Sequence, residues 1–211
     1  MKKVTHESQS PFNPSSKPLL IVLSGPSGAG KDALLVRMKQ LGHPLKYVTT
    51  VTTRAKRATE RDNEDYHFIS TGKFQEMMEN KELLERANVY GNWYGVPKQP
   101  VKEALEKGQD TIVKVDIQGA ATIKKITPQA VLIFLMPPSL EELVMRLNQR
   151  HTESPFDLAL RLKTAEEEIK QLPLFDYVIT SQQDELDLAA SDIKAIITAE
   201  KHRLSPRQIT L

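Results

Sequence analysis

The sequence predicts an α/β fold: a parallel sheet with helices on both faces, interrupted by an inserted mixed α/β lobe. Three observations carry this. Short, wholly apolar runs recur along the chain, as strands buried on both sides require. Most of them are followed by a turn signal and then a helical pattern. Residues 46–97 break that alternation, with more Thr, Tyr and charge in short alternating segments.

The elements follow in order. Residues 1–17 are polar, with Pro11 and Pro14, and read as a flexible arm. Leu19–Leu23 is the first strand. From Ala33, the residues Leu34, Leu35, Met38 and Leu41 fall at helical spacing, and Gly42 stops the helix. A helix over Val101–Lys107 stops at Gly108 and leads into a strand over Thr111–Asp116. Ala130–Met136 is another buried strand, ended by Pro137 and Pro138. Ser139-Leu-Glu-Glu142 is a capping box opening a helix to about Arg150. Ser154, Pro155 and Asp157 open the next, with Pro where no N–H is required. Phe175–Ile179 is the last strand and Asp184–Lys201 the last helix. The tail after it, with His202, Arg203 and Arg207, reads as solvated.

Composition excludes several classes. The chain has 211 residues, 39% hydrophobic, enough for a real core in one elaborated domain. Lys+Arg is 29 against Asp+Glu 27, a net charge of +2. A nucleic-acid-coating protein would be far more basic. With no cysteine, a disulfide scaffold, a thiolate metal site and a cysteine nucleophile are excluded. No apolar run approaches the roughly 20 residues that span a bilayer, and residues 1–17 lack a signal peptide's apolar stretch. The expectation is a soluble, cytoplasmic protein with no membrane partner and no nucleic-acid polymer. The oligomeric state is not legible.

Gly25-Pro26-Ser27-Gly28-Ala29-Gly30-Lys31-Asp32 fits G-x-x-x-x-G-K, set between a strand and a helix as this phosphate loop demands. Its glycines let successive N–H groups converge on one point, the helix adds its positive end, and Lys31 supplies a point charge. The expected architecture is therefore of the P-loop NTPase type. Asp32 replaces the usual Ser or Thr. A carboxylate is also a hard oxygen ligand, so Asp32 either holds Mg²⁺, directly or through water, or is a solvated helix-start residue. As a ligand it places negative charge beside phosphate, for only the metal to offset.

A second anion site is written less sharply. Between Arg54 and Asp65 there are four basic and four acidic residues, consistent with a neutral solvated loop. Arg54 and Arg57, with Thr52 and Thr53 before and Tyr66 after, also suit a phosphate monoester. Glu85 could accept two donors from one planar base edge. Tyr90, Trp93 and Tyr94 either flank such a ring or pack a small lobe.

Taken together, these residues resemble guanylate kinases over about residues 18–201. The matching pieces are Ser24–Lys31, Thr52-Thr-Arg54 with Arg57, Asp65-Tyr-His-Phe68, Glu82-Leu-Leu-Glu85, Tyr90-Gly-Asn-Trp-Tyr-Gly95, Val115-Asp-Ile-Gln-Gly119, Pro137-Pro-Ser139, Arg146-Leu147 with Arg150, Thr152-Glu153, and Arg161-Leu162. The resemblance implies transfer of the γ-phosphoryl of ATP to GMP, with Mg²⁺, in purine nucleotide metabolism and GMP recycling. It implies a core (about 18–47, 98–138 and 168–201), a GMP-binding nucleoside-monophosphate lobe (about 48–97), a helical lid (about 139–167) and a tail (202–211).

Carried over, Gly25 to Asp32 would hold ATP, and Lys31, Arg57, Arg150 and Arg161 would be catalytic. Arg54, Arg57, Tyr66 and Tyr94 would hold the GMP phosphate. Glu85 would read guanine, and Thr50 would offer a hydroxyl to the base. Asp116 would lie near guanine and Arg54, or near magnesium through water. Two further departures stand out: Val96 where the family commonly has a hydroxyl near guanine O6, and Lys114 where it often has an acid, which changes the charge around Asp116 and Arg54. A kinase for another phosphate monoester, such as ribose bisphosphate, is the alternative enzyme, because some end the loop in Lys-Asp. Scaffold domains of this type have lost the ATP site, whereas Gly25–Lys31, Arg150 and Arg161 are present here.

Overall fold

The computed structural model describes residues 17–58, 60–148, 155–182 and 185–211. All but Lys17 of the expected arm lies outside the described residues, as does the start expected for the last helix, Asp184. In chain order the first elements are β1 (Leu20–Ser24), α1 (Lys31–Gln40), β2 (Lys46–Val48), β3 (Val51–Thr52), β4 (His67–Phe68), α2 (Thr71–Glu79), β5 (Leu83–Val89) and β6 (Asn92–Pro97). There follow α3 (Lys98–Glu106), β7 (Thr111–Lys114), α4 (Ile117–Ile126), β8 (Val131–Met136), α5 (Leu140–Asn148), α6 (Pro155–Ile169), β9 (Tyr177–Thr180) and α7 (Leu186–Lys201).

Five strands form a parallel sheet in the order β2-β7-β1-β8-β9. β1 is central and wholly buried. The strand's side chains alternate between two cores, which is why the run carries no polar residue before Ser24. Leu19, Ile21 and Leu23 join Leu34 and Met38 of α1 and Ile193 of α7 on one face. Leu20 and Val22 join Val101 of α3 and Ala120 and Ile123 of α4 on the other. Each such side chain contributes roughly 1.5–3 kcal/mol on burial.

The remaining strands form a second sheet, β4-β3-β6-β5, inside the segment that breaks the alternation. β5 and β6 are an antiparallel hairpin turning at Tyr90 and Gly91, both at positive φ (50° and 80°), as a two-residue primed turn requires. Ser70 caps α2 by accepting from the Lys73 N–H.

The structure differs from sequence expectation in four places. α3 begins at Lys98, three residues early, because Pro100 fits the first turn, where no N–H is needed. A helix unmarked in the sequence, α4, follows Asp116, whose carboxylate caps it by accepting from the Gly119 N–H at 2.8 Å. The capping box of α5 forms on one side only. Ser139 Oγ accepts from the Glu142 N–H, but the Glu142 carboxylate accepts from Arg146 instead.

The C-terminal tail is docked, not solvated. Arg207 donates twice to Glu200, both at 2.8 Å, and Glu200 is only 2% exposed. Ile209 and Leu211 pack on the α3–α4 face, and Thr127 donates to the Thr210 carbonyl. A buried carboxylate needs a cation, and the tail brings it. No helix among the described residues is long and apolar enough to cross a membrane.

Candidate active site

The loop after β1 turns at the C-terminal edge of the sheet, where ligands bind in open α/β folds. Gly25 lies against β8: a Cβ there would come within 2.2 Å of the Leu135 carbonyl oxygen. Gly30, at φ +97°, is the N-cap of α1 in the left-handed region that glycine alone adopts freely. Lys31 bends back and donates to the carbonyls of Gly25 (2.5 Å) and Pro26 (3.0 Å). Burial lowers its pKa, opposed by the negative charges of Glu168, Asp32 and Asp116.

A cleft of about 450 Å³ opens over this loop. It brings together Gly25, Ser27, Gly28, Ala29, Gly30, Lys31, Asp32, Thr50, Arg54, Arg57, Tyr66, Glu85, Tyr94 and Asp116. Of the expected site residues that can be placed, only Pro26 is not on its wall. Arg150 lies outside the described residues, as does the side chain of Arg161; the backbone of Arg161 is in α6.

The second anion cradle sits opposite. Arg54 donates to the Tyr94 hydroxyl (3.1 Å) and to both oxygens of Glu60 (3.1 and 2.6 Å). Its guanidinium lies 5.5 Å from the centre of the Tyr66 ring. Arg57 reaches the same carboxylate at 3.6 Å. The loop is therefore more than a neutral solvated segment. Glu60 holds the two guanidiniums together, and its pKa is lowered because the hydrogen bonds from Arg54 and Arg57 outweigh its burial.

Strand alternation settles the aromatic ambiguity. Tyr94 faces the cleft edge-on to Tyr66, with ring centres 6.0 Å apart. Trp93 points the other way and stacks on Phe74 of α2. Tyr90 reaches the cleft wall from the hairpin tip.

Glu85 is 4% exposed, and its Oε2 has no hydrogen-bond partner. The register shift between Leu83 and Glu85 lets consecutive residues, Leu84 and Glu85, both turn inward. Burial, with help from the Asp116 charge, pushes the Glu85 carboxyl up to about 8; the Val96 N–H opposes this. Asp116 is raised by burial, and its bond from Gly119 and the nearby Lys31 charge pull the other way. Val96 is itself wholly buried in the core, directly across the hairpin from Glu85.

Three side chains take site roles that the sequence reading did not give them. Glu168 of α6 enters the cleft near Lys31, its carboxyl pushed up to about 7 by burial. Its spacing from Thr164, which also lines the cleft, was the available signal: i and i+4 share a helix face. Arg146 ties α5 to the phosphate loop by donating to the carbonyls of Ala29 (3.3 Å) and Ser181 (2.8 Å). Lys114, expected to act on Asp116 and Arg54, instead forms an ion pair with Asp32 and lies 3.8 Å from the centre of the Tyr66 ring. A second cation, not the metal alone, therefore offsets the Asp32 charge. Thr50 donates its hydroxyl to the Lys114 carbonyl at 3.1 Å.

A phosphate loop facing an arginine–tyrosine cradle across one cleft defines a P-loop phosphotransferase, a class that positions two phosphate-bearing substrates head to head. Residues 17–200 match the family described as guanylate kinase. The chain is 42% identical over 205 residues to guanylate kinase 2, chloroplastic/mitochondrial, of Oryza sativa, covering 97% of this chain and 72% of that one. It is 43% identical over 193 residues to a guanylate kinase of Carboxydothermus hydrogenoformans, covering 92% and 93%. The crystal structure of guanylate kinase from Anaplasma phagocytophilum superposes with a TM-score of 0.72 at 33% identity, over 90% of this chain and 89% of that one. The chain belongs to the guanylate kinase family.

Proposed function

We propose that the chain transfers the γ-phosphoryl of ATP to GMP, giving ADP and GDP. The observation that favours GMP as acceptor is the buried, unpartnered Glu85 Oε2 beside the cleft. Guanine presents two adjacent donors, N1–H and the N2 amine, that one carboxylate accepts. A ribose phosphate has no such edge.

The roles in this reading rest on the cleft lining and on the family resemblance. Gly25 to Asp32 cradle the ATP phosphates, with Lys31 turning from its own loop carbonyls to the β- and γ-phosphates. Arg54, Arg57, Tyr66 and Tyr94 take the GMP phosphate, which competes with Glu60 for the guanidiniums. Glu85 reads the base, with Thr50 and Asp116 beside it. By resemblance to the family, Arg150 and Arg161 would approach the transferring phosphoryl from a lid of about residues 139–167, with about 48–97 as the acceptor lobe. Phosphoryl transfer needs in-line positioning and neutralised charge, with little covalent work from protein. Closure of the lid excludes water, so ATP is not simply hydrolysed.

Magnesium accompanies ATP in this reading, and the cleft suits it. Among the described residues no three-carboxylate cluster stands preformed. Mg²⁺ needs none, since it keeps several waters and takes one or two carboxylates with substrate phosphates. Asp32 would hold it, directly or through water, with Asp116 and Glu168 nearby. The ion supplies neutralisation of the phosphate oxygens. The expected location is the cytoplasm.

A coupled assay offering GMP, dGMP, AMP and ribose phosphates tests the assignment. Guanine nucleotides should turn over and the others should not. Turnover of a ribose phosphate without GMP would overturn it.

A further inference from the structure

Asp32 and Lys114 lie 82 positions apart in sequence and meet between the two phosphate sites. Asp32 follows Lys31 at the start of α1, with its side chain 52% exposed toward the cleft. Lys114 ends β7, with its side chain only 9% exposed. Its ammonium is held between the Asp32 carboxylate and the face of Tyr66. A carboxylate at the mouth of a phosphate loop repels the ligand the loop is built to bind. The repulsion is strong in a partly desolvated cleft, where charges are poorly screened. A buried ammonium on that carboxylate cancels its charge and holds it in place.

We propose that Lys114 is a positioning residue for the donor-phosphate site: it neutralises Asp32 and holds its carboxylate beside the loop, so that Gly25–Lys31 present net positive charge to the phosphates. The proposal rests on the reading of this loop as the ATP site. It makes the two residues one unit. Lys114 is required because Asp32 is present, and little magnesium-free ADP affinity would be lost if both charges were absent.

The test is calorimetric titration of the full chain with ADP in the absence of magnesium. Lys114→Met keeps a flexible unbranched side chain of similar length and removes the charge. It should weaken ADP binding about tenfold, because the Asp32 charge facing phosphate loses its ammonium counter-charge. Adding Asp32→Asn should return affinity to within about threefold of the parent, as coupled sites do in a double-mutant cycle. Asp32→Asn alone should bind ADP at least as tightly as the parent, because it leaves a net positive charge.

Parent-like binding by Lys114→Met, or a double variant as weak as Lys114→Met, would overturn the proposal. The second outcome would mean that Lys114 contacts phosphate itself. Should Lys114→Met fail to fold, Asp32→Asn still decides, since weakened ADP binding in that variant contradicts a screened charge. ADP affinity does not depend on the acceptor, so failure of the GMP assignment would appear separately, in the turnover assay of the parent chain.

Discussion

A Cβ built on Gly119 would stand 2.6 Å from Glu85 Oε2. The first turn of α4 thus forms one wall of the pocket that holds the unpartnered Oε2. Val115 Cβ, 3.0 Å from the same point, closes the other side, so Glu85 is the group that must yield. Gly119 itself sits in helical backbone, where Ala is the better residue by about 1 kcal/mol.

The first prediction follows from that contact. Gly119→Ala should keep or raise the melting temperature while displacing Glu85. KM for GMP should rise about tenfold, the scale of one lost charged hydrogen bond, and KM for ATP should stay near its parent value. Steady-state kinetics with each substrate varied in turn measure this. Equal increases for both nucleotides would show that Glu85 does not read the base.

The second concerns pH. With the Glu85 carboxyl pushed up to about 8 by burial and by Asp116, the free protein carries it mostly protonated at neutral pH. Accepting from guanine requires the ionised form. GMP affinity should therefore rise with pH by up to about tenfold per unit below 8 and level off above it. Working above pH 7 keeps the GMP phosphate, with its second pKa near ~6, fully ionised. Folding runs in the opposite sense. The native carboxyl holds its proton more tightly than the unfolded one, so this contribution is fully present below about pH 4.5 and is lost as pH climbs through 8. Glu85→Gln should abolish both dependences. A flat affinity profile between pH 7 and 9 in the parent chain would contradict the mechanism.

These features differ in how far the sequence discloses them. The phosphate loop is legible because its chemistry is local: seven consecutive residues set the backbone and the charge. The buried strands are legible because β1 feeds two cores, so every side chain before Ser24 must be apolar. Asp32 and Lys114 each look anomalous along the chain and make sense only as a pair, which the β1–β7 neighbourhood creates. The inward turn of both Leu84 and Glu85 is hidden, because a register shift in the hairpin produces it and no periodicity announces it. The tail misleads for a similar reason. Its charges match a solvated segment until Glu200, buried on the last helix, is seen to need one of them.

The third prediction tests that tail. Glu200 accepts from Arg207 twice and from the Tyr177 hydroxyl at 2.8 Å, which links α7, β9 and the chain terminus. Removing Arg207 takes both guanidinium hydrogen bonds from the buried carboxylate and leaves it Arg203, at 3.6 Å, as counter-charge, at a cost of about 3 kcal/mol. For a chain of this size that corresponds to a fall on the order of 9 °C in melting temperature. Arg207→Ala should show this fall, while KM for GMP and ATP stays unchanged, because no residue of the tail lines the cleft. Adding Glu200→Gln should recover part of the loss by removing the stranded charge, with Tyr177 still able to donate to the amide oxygen. Thermal unfolding of the three proteins at neutral pH measures both effects. If Arg207→Ala melts with the parent, the tail is an ornament on α7 rather than the source of its counter-charge.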